Sequence, residues 1–316
     1  LKGGLAMYRK IMSFLEAWKD SEHRKPLILQ GARQVGKTYS ILEFGRTCYE
    51  NVAYFNFETN PKLNETFEEN ISPDYLIPIL SHIAGQTIVK EKTLIVFDEV
   101  QLCERALTSL KYFCEDAPDY HIIVAGSLLG VAVNRAKFSF PVGKVDMKTL
   151  YPMDMEEFMV ACGESTLVEQ IKKCFAEDKP LPSALHDAAM QLYRQYLIVG
   201  GMPECVMQFV ETKDYILVRH TQDTILASYL NDMSKYNNLN EIKKTRLAYD
   251  NITVQLSKKN TRFQYKLIKK GGRASEFENA IEWLCLSGIV SQVYKVEQVK
   301  KPLENYRNID AFKIYV

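Results

Sequence analysis

The chain has 316 residues, 47% apolar and 25% charged, with 40 basic against 39 acidic side chains. That length suffices for two or three domains, each with its own core, and the composition excludes a disordered or low-complexity chain. No run of about 18 apolar residues occurs, which argues against a membrane-spanning helix. The seven cysteines are scattered, odd in number and form no C-x-x-C pair, so they read as idle thiols of a cytoplasmic protein and not as a disulfide framework or zinc site.

In chain order, Met7 reads as the natural start, and residues 1–6 are set aside from the fold. Ile11, Leu15 and Trp18 recur at helical spacing between Tyr8 and Asp20. Leu27–Gln30 reads as a short buried strand running into a glycine loop, followed by a helix from Lys37 to about Thr47. Further strands are expected at Val52–Phe57, Thr93–Phe97, Tyr120–Ala125 and Val145–Leu150, with helices at Asp74–Ala84 and Arg105–Glu115 between them. Strands that are apolar on both faces and alternate with helices specify an α/β parallel sheet covered on both sides. After Pro152 the strands stop, and the segments from Asp154 to Ser234 read as helices. A third unit starts near Asn237, with helices at Glu241–Leu256 and Ser275–Leu286 and strand-like stretches at Arg262–Leu267, Ile289–Val296 and Ala311–Val316. The expected domains are therefore residues 7–151 as a core, 152–236 as a helical lid, and 237–316 in the pattern of a winged helix. From Asn237 onward there are 15 Lys and Arg against 8 Asp and Glu, while the rest carries 25 against 31. This basic end fits either a polyanion partner or a solvated surface.

Gly31-Ala32-Arg33-Gln34-Val35-Gly36-Lys37-Thr38 matches G-x-x-x-x-G-K-[ST] completely, with an apolar strand before it and a helical pattern after it. In such a loop the glycines let backbone N–H groups turn inward around phosphates, and the helix N-terminus adds its positive dipole end. Lys37 is expected to neutralise β/γ-phosphate oxygens and the Thr38 hydroxyl to ligate Mg²⁺. Asp98 and Glu99 end a buried strand; Asp98 is the second metal candidate and Glu99 the general base, the alternative being that both cap the following helix. No N-K-x-D guanine signature occurs, so ATP is the expected nucleotide. Ser127, at the end of the fourth strand, is a candidate sensor of the γ-phosphate, with a helix N-cap as the alternative. Glu58 ends the second strand, and Arg33, Arg105, Arg135 and Lys144 are positive groups from which no arginine finger can be picked.

The loop, together with Phe97-Asp-Glu-Val-Gln101, Ala125-Gly-Ser-Leu-Leu129, Pro141-Val-Gly-Lys144, Tyr151-Pro-Met-Asp154 with Glu157-Phe158, and Gly200-Gly-Met-Pro-Glu204, resembles a family of prokaryotic AAA-type ATPases. Those ATPases are fused to a C-terminal domain of unknown function with a restriction-nuclease-like character. The resemblance implies an ASCE-type core with the acidic strand beside the P-loop strand, then a helical lid and a winged helix. It also implies that a further C-terminal domain follows the stretch matched here. Many relatives have Gly-Arg where this chain has Gly143-Lys144. The expected function is Mg-dependent ATP binding and hydrolysis, with a homo-oligomer among the possible assemblies. Two readings of the output stay open: DNA binding by Lys258, Lys259, Arg262, Lys266, Lys269, Lys270 and Arg273, which cluster before and at the start of the helix at Ser275–Leu286, although its Glu276, Glu278 and Glu282 would repel a groove, or an ATP-dependent protein-interaction and oligomerisation switch without nucleic-acid binding.

Overall fold

β3 (Thr93–Asp98) and β4 (His121–Gly126) are buried along their whole length, which only a strand at the centre of a covered sheet can be. A computed structural model describes residues 7–126, 140–235, 239–259 and 262–316 of the chain. Among them, β1 (Leu27–Gln30), β2 (Asn51–Asn56), β3, β4 and β5 (Asp146–Thr149) form a parallel sheet in the order β2-β3-β4-β1-β5. The polar edges follow from this order, with Met147 and Lys148 exposed on β5 and Tyr54 on β2.

Period-two alternation sends the side chains of each central strand to opposite faces. On one face Ile95, Phe97, Ile122 and Val124 pack with Phe57, Phe67 and Leu110 under α3 (Leu63–Glu69), α4 (Pro73–Ala84) and α5 (Glu104–Asp116). On the other, Leu94, Val96, Ile123 and Ala125 meet Leu15, Trp18, Ile41 and Phe44. The helices on that side are α1 (Ile11–Lys19) and α2 (Lys37–Cys48). The layers are those of an α/β P-loop sandwich.

One expectation is corrected by the topology. The acidic strand β3 does not lie beside the P-loop strand β1, because β4 is hydrogen-bonded to both and sits between them. At a strand spacing of ~4.8 Å the two are separated by roughly 10 Å. Contact between their chemistry is made over the top of β4, by the first turn of α2.

Beyond β5 the chain becomes helical: α6 (Met155–Ala161), α7 (Ser165–Ala176), α8 (Ser183–Val199), α9 (Pro203–Thr212) and α10 (Tyr215–Lys235). Asp154 starts α6 with a capping box, its carboxylate accepting from the Glu157 N–H while Glu157 accepts from the Asp154 N–H. Contacts divide the chain into two compact units, Leu1–Ile225 and Leu226–Val316, with α10 running from one into the other. In the second unit, α11 (Leu239–Leu256) and α12 (Ala274–Leu286) are followed by an antiparallel pair, β6 (Ser291–Val296) and β7 (Arg307–Tyr315). Its core contains Ile252, Ile281, Trp283 and Leu284, with Phe263 stacked on Phe312 at 5.5 Å. The strand expected at Arg262–Leu267 is instead a single backbone bond, Phe263 N–H to Phe312 O at 2.9 Å, followed by a 3₁₀ turn at Tyr265–Leu267. Two buried aromatic anchors fix that segment without a ladder.

Candidate nucleotide-binding site

The loop between β1 and α2 is built on two glycines at backbone angles that strain any other residue. Gly31 has φ +149°, and a Cβ there would lie 2.2 Å from the Leu150 carbonyl oxygen. Gly36 has φ +92°, and directly precedes α2. The Ser40 N–H already bonds back to Gly36 O at 2.9 Å, so the helix begins at the loop's last residues, with its positive end directed there.

Lys37 is buried, and its ammonium donates to Gly31 O and Ala32 O, both at 2.8 Å. Burial lowers its pKa to about 8, against the opposing fields of Glu99 and then Asp98. Arg33 is close enough to add to the lowering. A poorly compensated ammonium held by neutral carbonyls is a strong acceptor site for an anion.

Asp98, also buried, takes three hydrogen bonds. Oδ2 accepts from Thr38 Oγ1 at 2.9 Å and from the Tyr54 hydroxyl at 2.7 Å, and Oδ1 accepts from the Glu99 N–H at 3.0 Å. Burial, reinforced by the bond to Asp98, moves the Tyr54 hydroxyl up to about 12; Asn56 opposes it. Asn56 Nδ2 in turn donates to the Tyr54 oxygen at 3.2 Å. Glu99 itself has φ +52°, a left-handed conformation that costs a non-glycine residue roughly 1–2 kcal/mol. Its carboxylate accepts from Gln101 Nε2. The turn thus directs Asp98 and Glu99 differently: one is locked on Thr38, the other is held by a single amide.

Of the sequence candidates, the structure brings Lys37, Thr38, Asp98 and Glu99 together around the loop. Glu58 is exposed at the end of β2, its N–H bonded to Asn56 Oδ1. Lys144 pairs with Glu115 at 2.9 Å, and Arg105 donates to Phe67 O at 2.7 Å, so both are engaged elsewhere. Ser127 and Arg135 lie outside the described residues. Three further residues join the site: Gln101, quoted in the acidic motif without a role, and Tyr54 and Arg9, which lie in no motif. For Tyr54 the signal in the sequence was its place on β2, two residues before the end of the strand next to the acidic one.

A hard cation fits this donor set. Thr38 and Asp98 present adjacent oxygens, and among the described residues no cluster of three or more His, Cys, Asp or Glu offers an all-protein cage. A Mg²⁺ ion, which takes one or two side chains and completes its shell with water and phosphate, would fit such a pair. No helix of the described residues is long and apolar enough to cross a membrane.

Comparison with known proteins agrees with the loop. Residues 23–159 match the family model of an AAA domain, and residues 190–316 match a domain of unknown function, DUF8612. Among solved structures the chain is similar to a Walker-type ATPase of Pyrococcus abyssi, at 13% identity and TM-score 0.57, covering 98% of this chain and 93% of that one. It is also similar to the ORC2 protein of Aeropyrum pernix, at 12% identity and TM-score 0.47, covering 99% and 91% respectively. No curated protein matches in sequence.

Proposed function

We propose that this protein, an AAA-type P-loop ATPase, hydrolyses ATP with Mg²⁺ at Gly31–Thr38, Asp98 and Glu99 and uses the cycle to control phosphate-backbone contacts made by its C-terminal unit. The observation that carries the first part is the convergence of Lys37, Thr38, Asp98 and Glu99 on one loop from two strands that are not neighbours.

Thr38 and Asp98 would hold the ion, which would supply positive charge against the charge developing on the phosphate oxygens. Lys37 exchanges its carbonyl partners for β- and γ-phosphate oxygens, regaining a full counter-charge. The loop's N–H groups and the start of α2 supply the remaining donors. Glu99 accepts a proton from water as the water oxygen bonds to the γ-phosphorus. The bond from that phosphorus to the β,γ-bridging oxygen breaks, and ADP and phosphate leave. Tyr54 keeps the Asp98 carboxylate turned toward Thr38. Lys37→Ala tests this assignment: in a folded variant, calorimetry is expected to show no ATP binding, and parental affinity refutes it.

The second part rests on charge. Lys258, Lys259, Arg262, Lys266, Lys269, Lys270 and Arg273 are all exposed around the connection from α11 to α12, and Lys295, Lys300 and Lys301 are exposed on the β6–β7 hairpin. Such side chains bind phosphates irrespective of sequence. α12 itself presents Glu278 and Glu282 to solvent while burying Phe277, Ile281 and Leu284. This favours backbone contacts by the connection and hairpin over insertion of α12 into a groove. The same acidic face favours the second reading, a protein-interaction switch. Duplex DNA titrations with and without a non-hydrolysable ATP analogue, from about 50 to 200 mM salt, separate the two. A steep salt slope is expected for DNA, and a flat one leaves the protein-interaction switch.

A further inference from the structure

Arg9 precedes the first helix in a stretch without any motif, yet it is only 3% exposed. Its guanidinium reaches three separate parts of the first unit. Nε donates to Glu157 Oε1 at 3.1 Å, Nη1 to the Val35 carbonyl at 2.8 Å, and Nη2 to the Tyr151 carbonyl at 2.8 Å. Glu157 is also buried, and its carboxylate accepts in addition from the Lys10 N–H at 2.7 Å and the Asp154 N–H at 3.1 Å. Burying two charges in this way costs desolvation, which the hydrogen bonds on both partners offset.

What the Arg9 guanidinium fixes is a peptide plane. Val35 O belongs to the peptide joining Val35 to Gly36, and in a planar trans peptide the C=O and N–H point in opposite directions. Gly36 sits at φ +92° with no side chain, so nothing on its own residue prevents that plane from turning over. Arg9 Nη1 lies 3.3 Å from where a Gly36 Cβ would be, and Pro203 Cγ, at the start of α9, lies 3.6 Å from the same point. The guanidinium therefore occupies the outer side of the loop at the residue before Lys37.

We propose that Arg9 is a positioning residue for the nucleotide: by pinning the Val35 carbonyl it aims the Gly36 N–H toward the phosphate side of the loop, and Glu157 holds it in place from α6. This rests on the assignment of Gly31–Thr38 as the phosphate loop. An N–H that meets phosphate alike in ground and transition states contributes uniform binding, so its loss raises KM and leaves kcat nearly untouched. Loss of one charge-assisted bond corresponds to an effect on the order of tenfold.

The test compares the full chain with Arg9→Met, with Arg9→Met combined with Glu157→Gln, and with Lys37→Ala. The combined variant removes both buried charges together, so the fold is kept even if Arg9→Met alone strands Glu157 and unfolds. Fluorescent-nucleotide titration, steady-state phosphate release and nucleotide-free melting are read for each. The expected result is a Kd and KM raised about tenfold with kcat within about threefold of the parent. Unchanged Kd in the combined variant while Lys37→Ala loses binding overturns the role of Arg9 alone, as does a fall in kcat at unchanged KM. Parental nucleotide affinity in Lys37→Ala overturns the phosphate-loop assignment and this inference with it.

Discussion

With Glu99 as the proposed base, Glu99→Gln separates binding from turnover. The substitution is nearly isosteric, and the replacement amide still offers an oxygen to Gln101 Nε2, so the left-handed turn at φ +52° keeps its local support. Asp98 and Thr38 keep their mutual bond at 2.9 Å, and Lys37 keeps its own partners. What disappears is one negative charge, the larger of the two carboxylate fields acting on Lys37. Removing it leaves the loop more positive, so ATP affinity holds or rises. Turnover loses a positioned proton acceptor, a loss of about 10²- to 10⁴-fold, or roughly 3–5 kcal/mol of barrier. The assay pairs fluorescent-nucleotide titration with single-turnover release of phosphate. Hydrolysis at the parental rate would refute the base assignment and turn attention to Glu58, and equal loss of binding in the Glu99 and Asp98 variants would show that the pair serves the fold.

Asp98→Asn is expected to weaken ATP binding about tenfold or more in the presence of Mg²⁺ and little in its absence, read by calorimetry with and without chelator; equal affinities in Mg²⁺ refute it. Gly45→Ala, although inside α2, places a Cβ 2.4 Å from Val52 Cγ2 and 3.2 Å from Leu94 Cδ2. Overpacking outweighs the helix-propensity gain, so denaturant melts should show a loss of about 1–2 kcal/mol, with recovery on adding Val52→Ala. His121 is buried at the other end of β4, with Nδ1 2.7 Å from the Tyr49 hydroxyl. Burial first, then Arg24 and Lys19, lower its pKa to about 4, with Asp119 opposing. The unfolded chain therefore binds the proton first, and the stability this site contributes above pH 6.5 is lost as pH falls toward 4. Allowing for solvent screening, the stability of the parent relative to His121→Gln should fall by about 1–2 kcal/mol between pH 7 and pH 4. A stability gap constant with pH refutes this.

The sheet could be read from the chain because its central strands are continuous apolar runs such as Leu94–Phe97 and Ile122–Ala125, and the glycine loop has fixed spacing. Strand order could not, since nothing local in β3 or β4 says which one lies next to β1. α3 carries too short a pattern to stand out, with Leu63 and Phe67 as its buried residues. Arg9 was invisible for a different reason: its partner Glu157 is 148 residues away, and a lone arginine ahead of a helix reads as solvated. Tyr54 was hidden by its exposed position on an edge strand, where only the cross-strand register to Val96 brings it over Asp98. Local chemistry specified the loop, and long-range packing recruited its supports.

The chain has two tryptophans, Trp18 in the first compact unit and Trp283 in the second, both buried. Each unit therefore carries its own intrinsic fluorophore. The two indoles also differ in surroundings: Trp18 Nε1 donates to Lys25 O at 2.9 Å beneath Arg24, whereas Trp283 Nε1 has no hydrogen-bond partner among the described residues. Replacing either one by Phe leaves an emission signal that belongs to a single unit. Melts of the two single-tryptophan proteins, read side by side, would report whether nucleotide added to the first unit is felt as a change of cooperativity in the second.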